Sequence, residues 1–315
     1  MRTFKSISSA FALTAALAAG PAFAFDASLA TAMEEAPIAE SSSSLTAVPS
    51  LVPSTSEPMP SPLEMPEITA QPSLGADTTA SEAFNMGRNL FRRGEKAEAM
   101  TVLQFAAGQG HVGAQWMIGR MYAKGEGVEP NDFKAFEYFR EIVSKAGIDD
   151  IDDSLESRQN AAYVSQALLQ LGSYYREGIP GTHVKPNPQL AVSLYSRAAY
   201  NYGDPNAQFN LAMMYIEGNG VPKDAKRALQ LLHNAAKKGH APSRALLGHM
   251  MFKGEAIKRQ PELGLMWMGL ARQSAEQSGQ VDAQWIIDLH DKALEEASDD
   301  ERKGALSFFN KVFNN

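Results

Sequence analysis

Cysteine is absent from all 315 residues. That excludes disulfide scaffolds, thiolate nucleophiles and thiolate metal sites, so packing alone must hold the fold together. Apolar runs of membrane-spanning length are missing as well. So is any surplus of positive charge: 29 Lys and Arg face 36 Asp and Glu, a formal net charge of −7. A chain with that balance has no general electrostatic attraction to nucleic acid or to an anionic membrane surface. Motifs for chemistry are equally scarce. There is no Gly-x-Ser-x-Gly nucleophile elbow, and no glycine-rich stretch follows a strand or continues to Gly-Lys-Ser/Thr.

The six histidines are His111, His183, His233, His240, His249 and His290. Only His240 and His249 come near one another, and no group has metal-ligand spacing, so no metal site is expected. His111 and His240 each follow the glycine that ends a helix pattern, which points to turn chemistry. A histidine beside a partner surface would instead sense pH, since its charge changes near about pH 6.5. Asp149, Asp150, Asp152 and Asp153 lack the alternating Asp-x-Asp-x-Asp-Gly order of a calcium loop and read as a solvated acidic insertion. Met213-Met214 and Met250-Met251 read as adaptable core filling. No catalytic, cofactor-binding or metal residue is assigned, and the chain is expected not to be an enzyme.

What is present begins with an address. Residues 1–24 combine a basic start (Arg2, Lys5), a short apolar run and Ala22-Phe23-Ala24, the three parts of an export signal cleaved after Ala24. An uncleaved membrane anchor is the alternative, disfavoured by the shortness of the run. The expected location is the periplasm, with no membrane insertion after processing. From 25 to 80 the composition turns to serine and proline, with Ser41 to Ser44 in a row and Pro49, Pro53, Pro58, Pro60, Pro62, Pro66 and Pro72 after them. Such a segment buries too little apolar surface to order itself, and it reads as a disordered linker or a protease-sensitive tail.

Residues 207–239 set the pattern for the rest. Ala207, Leu211, Ala212 and Tyr215 share one helical face; Gly218, Gly220 and Pro222 break the helix; Ala228, Leu232, Ala235 and Ala236 line a second, and Gly239 stops it. Aligning Leu211-Ala212 with Ile118-Gly119, Leu171-Gly172 and Leu247-Gly248 brings several columns into register. Tyr122, Tyr175, Tyr215 and Met251 stand three residues on, and Gly125, Gly178, Gly218 and Gly254 six on. Gly127 matches Gly220. A looser copy with a shorter loop contains Gly87, Leu90, Ala99, Leu103, Ala106, Ala107 and Gly110, and a worn second helix contains Gly264, Met268 and Ala271. The registers are 53, 40 and 36 residues apart, the first widened by an insertion after Gly147. Recurrence at this period indicates a solenoid of helix pairs, about five across 81–282, closed by capping helices in 283–315. Glycine inside a helix costs about 1 kcal/mol relative to alanine, so its repeated use implies close helix crossings.

The combined pattern, A-x-x-x-L-G-x-x-Y-x-x-G-x-G-V then A-x-x-x-L-x-x-A-A-x-x-G, resembles the Sel1-like repeat, a relative of the tetratricopeptide repeat. More narrowly, SEAFNMGRNLFRRGEKAEAM, LQFAAGQGHVGAQWMIGRMYAKGEGV, KAFEYF, GDPNAQFNLAMMYIEG and LMWMGLAR resemble the ExoR group of regulators. The Ser/Pro segment stands outside that pattern. The resemblance implies an all-α solenoid that binds the periplasmic part of a membrane sensor histidine kinase, keeps it inactive and is removed by a periplasmic protease. Alternatives of other classes are a cell-wall-active enzyme and a scaffold for envelope polysaccharide assembly. If partners dock on the first helices of the repeats, the exposed columns supply the contacts: Trp116, Arg120 and Lys124, then Phe209, Met213 and Glu217, then His249 and Lys253. Packing between repeats is the competing role for Trp116 and Phe209.

Overall fold

The structure, a computed structural model, describes residue 75 and residues 77–146, 155–278 and 283–313. The expected leader, nearly all of the Ser/Pro segment and the acidic run at 149–153 lie outside the described residues. Among the described residues there are twelve helices and no strand. They are α1 (Ala80–Arg93), α2 (Lys96–Gly108), α3 (Val112–Lys124), α4 (Asp132–Lys145), α5 (Leu155–Glu177), α6 (Pro188–Asn201), α7 (Pro205–Glu217), α8 (Ala225–Lys237), α9 (Ala241–Lys253), α10 (Pro261–Ser278), α11 (Gln284–Glu296) and α12 (Asp299–Phe313). The all-α expectation holds. The helices fall into two compact units that divide between Tyr202 and Gly203.

In the first unit the pairs α1/α2, α3/α4 and α5/α6 pack internally, and α2 on α3, α4 on α5 and α3 on α5 join successive pairs. One apolar cluster, including Phe84, Val102, Leu103, Met117, Ile118 and Met121, runs through the first two pairs. In the second unit α7/α8 and α9/α10 repeat the arrangement, and α11 and α12 close on α10 through Leu265, Met268, Ala293, Ala297 and Ala305.

The turn inside each pair is made in the same way. A residue with positive φ ends the first helix: Gly125, Gly218 and Gly254 have φ of 68°, 72° and 78°. The residue before the second helix then donates its N–H back to the carbonyl of the tyrosine column. Asn131 reaches Tyr122 O at 2.9 Å, Asp224 reaches Tyr215 O at 3.1 Å, and Gln260 reaches Met251 O at 2.8 Å. The side chains of Asn131, Asn187 and Asp224 also cap their helices, accepting from the backbone N–H of Lys134, Leu190 and Arg227. Each side chain thus begins one helix while its backbone ties down the end of the previous one.

The glycines at the helix centres mark real contacts. A Cβ on Gly119 would lie 2.7 Å from the Phe139 ring, and one on Gly87 2.7 Å from Leu103. Gly172 sits under the Tyr195 ring in the same manner. At Gly248 the neighbour is backbone, with Gly264 O at 2.6 Å from the would-be Cβ. Where Ala212 takes this column, the side chain is fully buried.

Two helices begin earlier than the apolar pattern indicates. α7 starts at Pro205, because Asp204 caps it and proline is pre-shaped for the first helical turn. α5 has 23 residues, against 13 in α3, α7 and α9. The later part of the insertion therefore lengthens the helix, with Val164, Ala167 and Leu168 buried along it, instead of only widening a turn.

Candidate partner-binding surface

The first helix of each pair turns its central small residue toward its second helix. Its open stripe lies at the positions three before, one after and five after that residue. In α3 these are Trp116, Arg120 and Lys124; in α7 Phe209, Met213 and Glu217; in α9 Ala245, His249 and Lys253. Lys124, Glu217 and Lys253 are exposed, Ala245 is buried and the others are half-buried. The three sets belong to different helices, with the α3 set in one unit and the other two in the other.

The aromatic members of the stripe are engaged between repeats. Phe84, in the same column of α1, lies against the ring of His111 at 4.3 Å between centroids. Phe209 meets His240 at 5.4 Å, and Trp116 meets Tyr163 at 5.5 Å. Each aromatic side chain therefore packs on the beginning, or near the beginning, of the first helix of the following pair.

The two histidines that receive these rings are helix caps. His111 Nδ1 accepts from Ala114 N–H at 3.2 Å, and His240 Nδ1 accepts from Ser243 N–H at 3.3 Å. In His240 the accepting Nδ1 leaves the proton on Nε2, which donates to Asn206 Oδ1 at 3.1 Å. Burial, partly opposed by Asp204, lowers the His240 imidazole to about 4. His240 is thus a neutral cap rather than a sensor near pH 6.5.

Arg120 is the best-anchored charge of the stripe. Its guanidinium lies 5.2 Å from the centre of Phe91 and 5.3 Å from that of Trp116, and it pairs with Glu126 at 3.5 Å. Such stacking leaves the planar group one open edge. On α9, burial pushes the His249 imidazole below its ordinary range, helped by Lys253 and Lys292 and opposed by Glu296. Lys253 itself pairs with Glu296 of α11. No group of three or more potential metal ligands lies together among the described residues.

Sequence reading passed over Phe91, Glu126 and Asn206, which fix Arg120 and His240. The recurrence of His111 and His240 eight residues before Gly119 and Gly248 signals the capping histidines, but it does not mark Phe91, Glu126 or Asn206.

Comparison with known proteins accounts for the recurring geometry. The Sel1 repeat model matches residues 112–143, 165–202, 205–240 and 241–274. The chain is also 33% identical over 224 residues to the exopolysaccharide production negative regulator of Rhizobium meliloti, covering 71% of this chain and 78% of that one. The chain belongs to the Sel1-repeat family. A second relative, the exopolysaccharide production negative regulator of Rhizobium leguminosarum bv. viciae, is 31% identical over 232 residues, 73% of this chain and 81% of the relative. A solved Sel1 repeat protein from Oxalobacter formigenes superposes with a TM-score of 0.50 at 27% identity, covering 65% of this chain and 75% of that structure. The family model begins at Val112, although the α1/α2 pair repeats the Sel1 crossing with Gly87 against Leu103.

Proposed function

We propose that this Sel1-repeat protein is a regulatory binding protein that restrains exopolysaccharide production. The carrying observation is its similarity, over most of both chains, to two negative regulators of that process. In the finer reading it acts in the periplasm, where it binds the extracytoplasmic domain of a membrane sensor histidine kinase. It holds the kinase off by binding the inactive conformation more tightly than the active one, since a ligand shifts an equilibrium only through differential affinity. Cleavage by a periplasmic protease then relieves the restraint.

Each unit offers its own first-helix stripe to a partner: Lys124 and the open edge of Arg120 in the first, and Glu217, Met213 and His249 in the second. Repeat arrays of this type bind proteins through their first helices, and the contacts are expected to concentrate at Arg120, which the Phe91 and Trp116 rings hold in place. In-cell crosslinking followed by identification of the captured membrane protein tests the reading. Recovery of a sensor kinase, lost when Lys124 and Glu217 are charge-reversed, supports it. Recovery of a polysaccharide synthase or export protein would replace it with the assembly-scaffold alternative.

A further inference from the structure

The open stripe of the first two repeats is basic. The positions one and five after the central glycine are Arg88 and Arg92 in α1, and Arg120 and Lys124 in α3. Arg120 has Glu126, but no carboxylate pairs with Arg88, Arg92 or Lys124 among the described residues. Arg88 rests on the Phe84 ring and Arg92 donates to Asn89, and both side chains are exposed. The Arg120 stack on Phe91 and Trp116 binds α1 and α3 together at this face. Four cations on two adjoining helices, flanked by partly buried aromatic rings, make a surface suited to an acidic, apolar-spotted peptide.

The sequence contains such a peptide immediately before α1. Residues 25–76 contain seven carboxylates, Asp26, Glu34, Glu35, Glu40, Glu57, Glu64 and Glu67, and no Lys, Arg or His. The remainder, residues 77–315, is close to balanced, with 29 acidic against 27 basic residues. Glu57, Glu64 and Glu67 stand among Pro, Met59, Leu63, Met65 and Ile68. Residue 76 adjoins α1, and from the start of α1 to Arg92 is only about 18 Å at about 1.5 Å per residue. A tether of this length gives its carboxylates a local concentration on the order of millimolar at Arg88, Arg92 and Lys124, far above that of a separate partner.

We propose that the acidic segment within residues 25–76 binds in cis to the Arg88–Arg92–Arg120–Lys124 stripe. The segment then competes with any acidic partner for this face, and its removal exposes the face. This builds on the surface assigned above, but the contact itself needs no partner.

The absence of cysteine makes the test direct. Spin labels on Ser61→Cys and Asn85→Cys, in otherwise unaltered residues 25–315, report the separation of segment and stripe by pulsed electron resonance. A free coil of about 19 residues, from Ser61 to the start of α1, would give a broad distribution centred near about 25 Å, with little change between about 50 and 500 mM salt. The expected result is a narrower, shorter population at low salt that is lost at high salt. It is also lost in the Glu57→Gln/Glu64→Gln/Glu67→Gln variant, which leaves the helices untouched, and in Arg88→Glu/Arg92→Glu/Lys124→Glu. A distribution indifferent to salt and to the glutamine variant overturns the proposal. A short distance that vanishes on dilution with unlabelled protein overturns it too, by showing contact between two copies. Because no kinase is present, failure here leaves the proposed kinase-binding function standing, and failure to capture a kinase leaves this contact standing.

Discussion

The repeats α3/α4 and α9/α10 share one sequence pattern and close in different ways. In α3/α4 the central Gly119 lies under the buried Phe139 ring, a side chain and not backbone. In α9/α10 the central Gly248 meets the backbone of Gly264, which cannot. The fifth position after each glycine is lysine in both, yet Lys124 has no carboxylate partner among the described residues while Lys253 pairs with Glu296. Further ion pairs, Arg259 with Glu301 and Arg272 with Asp291, tie the later repeat to α11 and α12. The loop glycine at Gly127 is replaced by Ala256, which keeps a left-handed φ of 60°. Next to the closing helices the fifth-position lysine is thus satisfied within the chain. In the earlier repeat that position is left open to meet something else.

The largest test of that contrast is alanine at the two crossings. Gly248→Ala is expected to lose about 2–3 kcal/mol of unfolding free energy, since the backbone of α10 must move. Gly119→Ala should lose less, about 1–2 kcal/mol, because a ring and not backbone must move and alanine returns helix propensity. Equal losses in urea titration would mean that the two crossings do not differ in rigidity.

The loops come next. Ala256→Gly should stabilise by about 0.5–1 kcal/mol by removing the side-chain penalty at positive φ. Gly127→Ala should destabilise by about 1–2 kcal/mol, as its Cβ would also press on Lys96. A matched pair of melting curves decides this, and the prediction fails if the two changes have the same sign.

His240 supplies a pH-dependent difference. Its folded-state pKa of about 4 lies below the ordinary value of 6.5. The unfolded chain therefore takes the proton first, so stability present above pH 6.5 is lost as the pH falls toward 4. His233, His249 and His290 are lowered by burial in the same direction. His240→Asn keeps a capping side chain that does not titrate, and it should flatten the decline between pH 6.5 and 4. An unaltered slope would remove His240 from that account. Smallest of all, Lys253→Met should change stability by less than about 1 kcal/mol, and by less still in high salt, because its pair with Glu296 is largely solvated.

Much of the solenoid was legible because its constraints repeat. A glycine at a helix crossing, a glycine with positive φ and a paired alanine stripe each leave the same mark several times, and no single occurrence has to be interpreted alone. The extension of α5 was hidden for the opposite reason: residues 155–163 occur once, after an acidic run, with no counterpart to align. The surface was half legible. Spacing placed Trp116, Arg120 and Lys124 on one stripe, but it could not distinguish a ring that waits for a partner from one lying on the next repeat, as Phe84, Trp116 and Phe209 do. That distinction depends on His111, Tyr163 and His240 arriving from another helix, which no local periodicity encodes.

The central claim is that the protein restrains exopolysaccharide output. It is tested most directly by measuring secreted exopolysaccharide in a strain from which the chain has been deleted, with and without the gene restored. The account predicts a rise on deletion that restoration reverses. Output that stays unchanged, or falls, would contradict it.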